Sequence, residues 1–335
     1  MKYTTLGSSG IVVSRFCLGT MLFGGTGSAE VDAKGAHRIV DAFIDGGGTY
    51  FDSANVYTDG QAEEILGAAL KGRRDAHVVA TKGGAQLGGQ PRHPRAGLTR
   101  TAVLSSIDDS LRRLGTDYID IWYLHGPDRL TPIEETWAAV DIAVRAGKIR
   151  AVGFSNLPAW AAAEAVACAP VPVAAAQYQY SLVCRDIEDD FLDGLQRHGI
   201  ALHAWGPLGQ GFLTGKYRPN EKPAEGRIAG AAESHEEHWS RRDNDRNWAT
   251  LAATREVAER RGATPGQVAV AWVLSRPALA AGVVGARTER QLAETLGALS
   301  THLEKADLEL LDEASKPPRR YPFRVVDAYF DRRPG

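Results

Sequence analysis

Short, continuously apolar runs alternate with longer amphipathic stretches along most of the chain. The runs lie at 16–19, 49–52, 78–81, 119–124, 151–154, 174–177, 201–204 and 282–284. Several are apolar throughout rather than alternating, which suits parallel strands buried on both faces. The stretches between them carry apolar residues at helical spacing. Residues 35–46 place Ile39, Val40, Phe43 and Ile44 on one face and end at glycines, a common helix stop. Residues 61–71 repeat this with Ile65, Leu66, Ala69 and Leu70. Residues 99–114 do so with Val103, Leu104, Ile107, Leu111 and Leu114, behind Thr99 as N-cap. Segments 133–146, 158–168, 187–198 and 288–299 behave alike. Segment 263–277 opens on Thr264 as cap and Pro265 as first helical residue, then stops before Pro277.

Strands nearly all followed by helices predict a parallel α/β architecture. Two topologies compete. A doubly wound sheet would hold a dinucleotide at a first Gly-rich turn of the form G-x-G-x-x-G. The nearest stretch, GTMLFGGTG at 19–27, does not match it. Eight strands without that fingerprint predict a closed (β/α)8 TIM barrel, for which about 250 residues is typical. The chain has 335 residues, and the surplus has places. KYTTLGSSGIVV (2–13) reads as an N-terminal β-hairpin. Residues 209–242 read as a long polar, Gly-rich insertion after the seventh strand, a lid or binding loop. Residues 303–335 read as a tail with one extra C-terminal helix, and no linker divides residues 1–335 into domains.

Composition narrows the partners. The chain is 44% hydrophobic and 24% charged with a net charge of −2, a globular profile with no basic field for nucleic acid or an acidic membrane surface. Arg241-Arg242 and Arg319-Arg320 lie near acidic residues and read as solvated faces. No apolar run approaches the roughly 18–20 residues of a membrane span. MKYTTLGSSG lacks the apolar core of a signal peptide. Cys17, Cys168 and Cys184 are scattered, with no CxxC, and read as reduced, buried thiols. A cytoplasmic protein is expected. HEEH at 235–238 lacks the H-E-x-x-H spacing, so no metal is expected.

Catalytic groups of such a barrel sit at the C-terminal ends of its strands. Asp52 ends the second strand, and Tyr57 stands in the loop beyond. Lys82 ends the third, His125 the fourth, Ser155-Asn156 the fifth, Gln177 the sixth and Trp205 the seventh. Singly, each has an ordinary reading: Asp52 as a turn former, Lys82 as a surface lysine, His125 as a core histidine, Tyr57 as a packed ring. Four titratable groups at or just beyond three successive strand ends read otherwise. A phenol is a poor acid near neutral pH. A nearby ammonium stabilises its phenolate. A carboxylate keeps that ammonium charged and oriented, and an imidazole can donate a hydrogen bond to a substrate oxygen. This set suits carbonyl reduction, with hydride from a cofactor reaching carbon and a proton reaching oxygen.

With Asp52, Tyr57, Lys82 and His125 in this order and spacing, the chain resembles the aldo-keto reductases. LGTM (18–21), GFSN (153–156), QYQYSL (177–182), AWGPLGQGFLTGKY (204–217) and GARTERQLAETLGAL (285–299) carry the resemblance over nearly the whole chain. Trp205, PAW (158–160) and LTGKY are closest to bacterial aryl-alcohol-dehydrogenase-like and deoxysugar ketoreductase-like members. The resemblance makes the four residues a catalytic tetrad and implies NADPH bound in extended form. It implies that Ser155, Asn156 and Gln177 bond the nicotinamide carboxamide while Trp205 stacks on the ring. Gly19, Thr20, Met21 and Asp52 would approach the nicotinamide ribose. Gly206, Pro207, Leu208, Gly211 and Lys216 would line the pyrophosphate path, with Arg227 closing over it. Gly285, Arg287, Gln291 and Glu294 would hold the adenosine end, with Arg287 on the 2′-phosphate because guanidinium suits phosphate. Thr295 stands where the family often has Asn, which leaves NADH as the less favoured alternative.

A rival reading is an NADPH-binding regulatory subunit resembling potassium-channel β-subunits. His125 argues against it, since those subunits typically carry Asn there. The substrate stays open between an aromatic aldehyde and a keto-sugar. Phe23, Tyr57, Trp122 and Trp239 are candidates for an apolar wall, and Asp128 and Arg129 for polar partners of a hydroxylated substrate. Oligomeric state is not legible.

Overall fold

In the computed structural model, residues 1–25, 30–85, 96–224, 228–229 and 238–330 are described. An antiparallel hairpin, β1 (Tyr3–Thr5) and β2 (Val12–Ser14), leads the chain. Eight parallel strands then close a barrel in chain order. They are β3 (Phe16–Gly19), β4 (Tyr50–Asp52), β5 (Val78–Gly83), β6 (Ile119–Leu124), β7 (Ile149–Ser155), β8 (Val173–Gln179), β9 (Ala201–Trp205) and β10 (Leu279–Val284), which pairs back to β3. Around it lie α1 (Ala33–Asp45), α2 (Gln61–Ala69), α3 (Arg100–Leu114), α4 (Ile133–Arg145), α5 (Ala159–Cys168), α6 (Leu192–Arg197), α7 (Asp245–Arg261), α8 (Pro265–Leu274) and α9 (Glu289–Leu296). The tail adds α10 (Lys305–Ser315) and α11 (Phe323–Tyr329), two helices where one was expected.

Strand residues sort by face. Phe51, Val79, Trp122, Leu124, Val152 and Phe154 pack outward in one cluster with the helix residues Ile39, Phe43, Leu66, Ile107 and Val140. Cys17, Tyr50, Ala80, Ile121, Tyr123, Ala151, Ala175, Ala201 and Ala281 face the lumen in another. The lumen is rich in alanine rather than in the bulky branched residues usual there, and Leu6 and Val13 of the hairpin fill the space this leaves. The hairpin therefore plugs the end where the strands begin. Gly7 makes that fit: at φ 51°, a Cβ would stand 2.4 Å from the Gly199 carbonyl oxygen and 2.6 Å from that of Ala174. Only the opposite end remains open for chemistry.

Local chemistry sets the helix ends. Thr99 Oγ1 accepts from Ala102 N at 3.3 Å, and Thr264 with Gln267 completes a capping box ahead of α8. Helix α7 has no counterpart among the expected elements. Its buried face mixes the polar Asn247, Thr250 and Thr254 with Leu251, Ala253, Val257 and Ala258, so its apolar stripe is broken. Segment 187–198 forms a single helical turn at Asp186–Glu188 and then the short α6. Most barrel strands run beyond the expected bounds, with β7 starting at Ile149, β8 ending at Gln179 and β10 starting at Leu279.

Two surface readings change. Arg242 is buried, and its guanidinium donates to Gln210 Oε1 at 2.8 and 3.1 Å, so Arg241-Arg242 is not simply a solvated face. Cys17 and Cys184 are buried as expected, but Cys168 is exposed at the end of α5. HEEH lies outside the described residues except for His238, and among the described residues no cluster of His, Cys, Asp or Glu could hold a metal ion. Among them, too, no helix is long and apolar enough to cross a membrane.

Candidate active site

Lys82 organises the open end of the barrel. Its side chain is fully buried, and Asp52 is only 1% exposed. Lys82 Nζ donates to Asp52 Oδ2 at 2.5 Å and to the Ser53 carbonyl at 2.7 Å, and stands 3.3 Å from the Tyr57 hydroxyl. Burial alone would lower the ammonium. The charges of Asp52 and Tyr57 and the hydrogen bonds to both outweigh it, so Lys82 is held above its usual range and stays charged. Gln177 Nε2 donates to Asp52 Oδ1 at 2.8 Å, so both carboxylate oxygens are engaged.

Tyr57 reaches Lys82 because the chain doubles back just after it. Thr58, Asp59 and Gly60 all take positive φ, at 46°, 53° and 93°. For Thr58 and Asp59 such a conformation costs on the order of 1 kcal/mol or more. Thr58 Oγ1 partly offsets this by donating to the Phe23 carbonyl at 2.6 Å. The backbone strain thus sits beside the residue whose placement requires it. His125 follows β6 directly, with its ring edge-on to Tyr57 at a centroid distance of 6.0 Å. Burial, and then the charge of Lys82, push its imidazole down to about 3, so the ring is neutral at working pH. Its Nδ1 has no hydrogen-bond partner among the described residues. The ring is only partly buried, so its remaining edge is open to a ligand beside Tyr57.

The remaining predicted residues ring this centre. Ser155 ends β7, and its hydroxyl donates to the Gln177 carbonyl at 2.8 Å. Asn156 takes a left-handed φ of 56°, donates to the His125 carbonyl at 3.2 Å and accepts from Trp205 Nε1 at 3.2 Å. Trp205 is thereby fixed by its edge, with part of its ring still accessible. Thr20 is buried, its hydroxyl on Ser53 Oγ at 2.9 Å, while Met21 is exposed. Gly19 and Gly285 face each other across the β3–β10 seam, where a Cβ on Gly285 would lie 3.8 Å from the Gly19 carbonyl oxygen.

Gly206 and Gly211 take φ of 66° and 90° in the turn after β9, with Pro207 and Leu208 between them. A Cβ on Gly211 would be 3.2 Å from Lys216 Nζ. Burial and the neighbouring Arg287 both lower the Lys216 ammonium, so two cations share one rim. Paired cations at a glycine-lined turn suit an anionic ligand better than they suit each other. Gln291 Oε1 accepts from Arg287 N at 2.9 Å, and Glu294 is exposed on the same short helix. The Thr295 hydroxyl donates to the Gln291 carbonyl at 3.0 Å, so it closes its own helix turn. Arg227 lies outside the described residues.

Several details correct the sequence expectations. Gln177 sits within β8, two residues before its end. Its amide nitrogen is committed to Asp52, which leaves its oxygen for a ligand. Trp122 and Phe23 are fully buried in the helix-facing core, and Trp239 packs against Tyr217 and Trp248, so of the proposed apolar wall only Tyr57 borders the site. Asp128 accepts from Leu98 N, Leu130 N and Thr131 Oγ1 at 2.7–2.9 Å, which makes it a loop tie rather than a substrate ligand. The Ser53 carbonyl was missed because a backbone atom leaves no sequence signal. Tyr50, Tyr123 and His203 were also missed, although the period-two spacing Tyr50/Asp52, Tyr123/His125 and His203/Trp205 puts them on the lumen side.

A model of the aldo/keto reductase family matches residues 15–316. The chain belongs to the aldo/keto reductase family. It is an oxidoreductase, and its closed barrel is the (β/α)8 form expected of the sequence. This aldo/keto reductase is 35% identical to an uncharacterized oxidoreductase, YrpG, of Bacillus subtilis (strain 168), with 95% of this chain and 97% of the relative covered. It is 33% identical to a probable voltage-gated potassium channel subunit beta of Oryza sativa subsp. japonica, over 97% of this chain and 100% of the relative. It is 32% identical to an L-glyceraldehyde 3-phosphate reductase of Escherichia coli (strain K12), over 90% and 88%.

Proposed function

We propose that this oxidoreductase uses NADPH to reduce an aldehyde or ketone to an alcohol, with Tyr57 as proton donor. The contact between buried Lys82 and the Tyr57 hydroxyl, at 3.3 Å, carries the reading. When bound, the nicotinamide supplies hydride to the carbonyl carbon. Tyr57 gives its proton to the carbonyl oxygen, and Lys82 stabilises the phenolate left behind. Asp52 keeps Lys82 charged and aimed. Neutral His125 donates a hydrogen bond to the same oxygen and orients the carbonyl. Ser155, Asn156 and Gln177 would hold the carboxamide, Trp205 the nicotinamide face, and Gly19, Thr20 and Met21 its ribose. Gly206, Pro207, Leu208, Gly211 and Lys216 would line the pyrophosphate path, with Arg227 above it. Gly285, Arg287, Gln291 and Glu294 would take the adenosine end.

The direct test is loss of NADPH absorbance with a panel of aromatic aldehydes, aliphatic aldehydes, quinones and keto-sugars. Turnover of at least one class is expected, and that class narrows the substrate. NADPH binding with no turnover on any of them would favour the regulatory-subunit reading, which the potassium-channel relatives keep in view. The retained imidazole at His125 speaks for the reductase. Cofactor choice has its own test. Arg287→Ala should raise the KM for NADPH about ten- to a hundredfold, the range of one charge-assisted contact, and leave the KM for NADH nearly unchanged. Equal losses with both cofactors would remove Arg287 from the 2′-phosphate.

A further inference from the structure

One layer below the catalytic groups, the lumen holds a second polar set. Tyr50, Tyr123 and His203 are all fully buried. The Tyr123 hydroxyl lies 2.6 Å and the Tyr50 hydroxyl 2.9 Å from His203 Nδ1, and the two hydroxyls are 3.2 Å apart. Barrel interiors are ordinarily filled by branched apolar side chains. Three buried polar groups in their place carry a desolvation penalty that only mutual hydrogen bonding offsets. Nothing in the reductase chemistry outlined above uses them.

Their placement relates them to the site member by member. Tyr50 is two residues before Asp52 on β4, so both face the lumen. Tyr123 is the ladder partner of Lys82 between β5 and β6. His203 is the ladder partner of Gln177 between β8 and β9. Each of the three thus adjoins one member of the Asp52–Lys82–Gln177 set. Their hydrogen bonds tie β4, β6 and β9 across the lumen, while Gln177–Asp52 ties β8 to β4 in the layer above.

We propose that Tyr50, Tyr123 and His203 form a positioning layer that holds Asp52 and Lys82 in place and so keeps Lys82 against the Tyr57 hydroxyl. The proposal rests on Tyr57 as the proton donor. A neutral His203 with its proton on Nε2 lets Tyr50 donate to Tyr123 and Tyr123 donate to Nδ1, two ordered hydrogen bonds through three groups, while the buried Nε2 has no partner among the described residues. Neutrality holds at working pH, since burial and then the charge of Lys82 push His203 down to about 3. Burial, as the largest cause, pushes both phenols well above their usual range, with Asp52 and Cys17 adding to it. Among the described residues, the ionisable groups around the layer are Cys17 on β3, Asp52 on β4 and Lys82 on β5, and those facing Tyr57 include Lys82 and His125.

Of the three Lys82 contacts, the one to Tyr57 is the longest, at 3.3 Å against 2.5 and 2.7 Å. It is the one that a loosened Lys82 gives up first. Weaker contact leaves the phenolate less stabilised, so Tyr57 keeps its proton to higher pH and donates it more slowly.

The test is Tyr123→Phe, which removes a single oxygen. Tyr57 ionisation is read as the alkaline phenolate absorbance that disappears in a Tyr57→Phe background, and kcat for the best panel carbonyl is measured against pH. The Tyr57 midpoint is expected to rise by about half to one pH unit, a three- to tenfold change in proton affinity. The alkaline limb of kcat should move with it, and kcat should fall by a similar factor. A folded variant with an unmoved midpoint overturns the proposal, even if kcat drops. If Tyr123→Phe does not fold, Tyr50→Phe carries the same expectation, since Tyr50 touches both partners. The absorbance titration needs no turnover. Absence of wild-type reductase activity would therefore remove the reductase reading without obscuring whether the layer sets Tyr57.

Discussion

Tyr57→Phe should abolish carbonyl reduction while leaving NADPH binding nearly intact. Loss of a positioned general acid costs about 10²–10⁴ in rate, and kcat should fall by that factor at every pH where wild-type Tyr57 carries its proton. The ring itself remains. It keeps its edge contact with His125 at 6.0 Å and its place under Lys82 Nζ, 5.0 Å from the ring centroid. The 3.3 Å contact from Lys82 to the hydroxyl is lost, and the fold and the cofactor path should be undisturbed. Fluorescence titration with NADPH checks the binding half, and steady-state reduction the chemical half. Turnover within tenfold of wild type would sink the assignment. The pH profile adds a sign. A proton donor must be protonated, so wild-type activity should fall as pH rises through the Tyr57 ionisation. His125, pushed down to about 3, should add no acid limb between about pH 5 and 7. An acid limb in that window that disappears in His125→Asn would contradict a neutral imidazole.

The barrel was legible because its strands are buried on both faces and therefore read as unbroken apolar runs, and Ile119–Leu124 was delimited to the residue. The candidate tetrad was legible because each side chain stands at or just past a strand end, where a (β/α)8 barrel turns its sequence toward the site. What stayed hidden has physical causes. Helix α7 buries Thr250 and Thr254, whose hydroxyls bond the helix carbonyls of Arg246 and Thr250, so small polar residues share the packing with Leu251 and Val257 and break the apolar stripe. Trp122 looked like a pocket wall by type, yet its position between the inward Ile121 and Tyr123 sends it outward to the helices. Arg242 looked solvated by its charge, yet Gln210 satisfies its guanidinium inside the turn after β9. In each case a tertiary partner decides the outcome, and residue type alone names no partner.

Lys82→Met should damage stability as well as activity, which separates Lys82 from Tyr57. Lys82 and Asp52 are both buried, and removing one partner of such a pair typically costs about 3–5 kcal/mol because the other charge is left uncompensated. In Lys82→Met, Asp52 keeps only the neutral Gln177 amide. The double variant Lys82→Met/Asp52→Asn should recover much of the lost stability, since a neutral amide needs no countercharge. It should recover no activity, because Tyr57 still lacks its ammonium. The pH dependence follows from the same charges. Lys82 is held above its ordinary range in the folded state, so its contribution is complete below the ordinary lysine value and is lost only as pH rises through the raised one. Between about pH 6 and 9 the wild-type pair should therefore give flat stability. In Lys82→Met the deficit should shrink as the pH falls, since protonating the stranded carboxylate removes the buried charge. Urea unfolding of the wild type, Lys82→Met and the double variant at two pH values measures all of this. Equal stability of the two variants at neutral pH would mean that the stranded charge is not the cause, and that Lys82 contributes through packing alone.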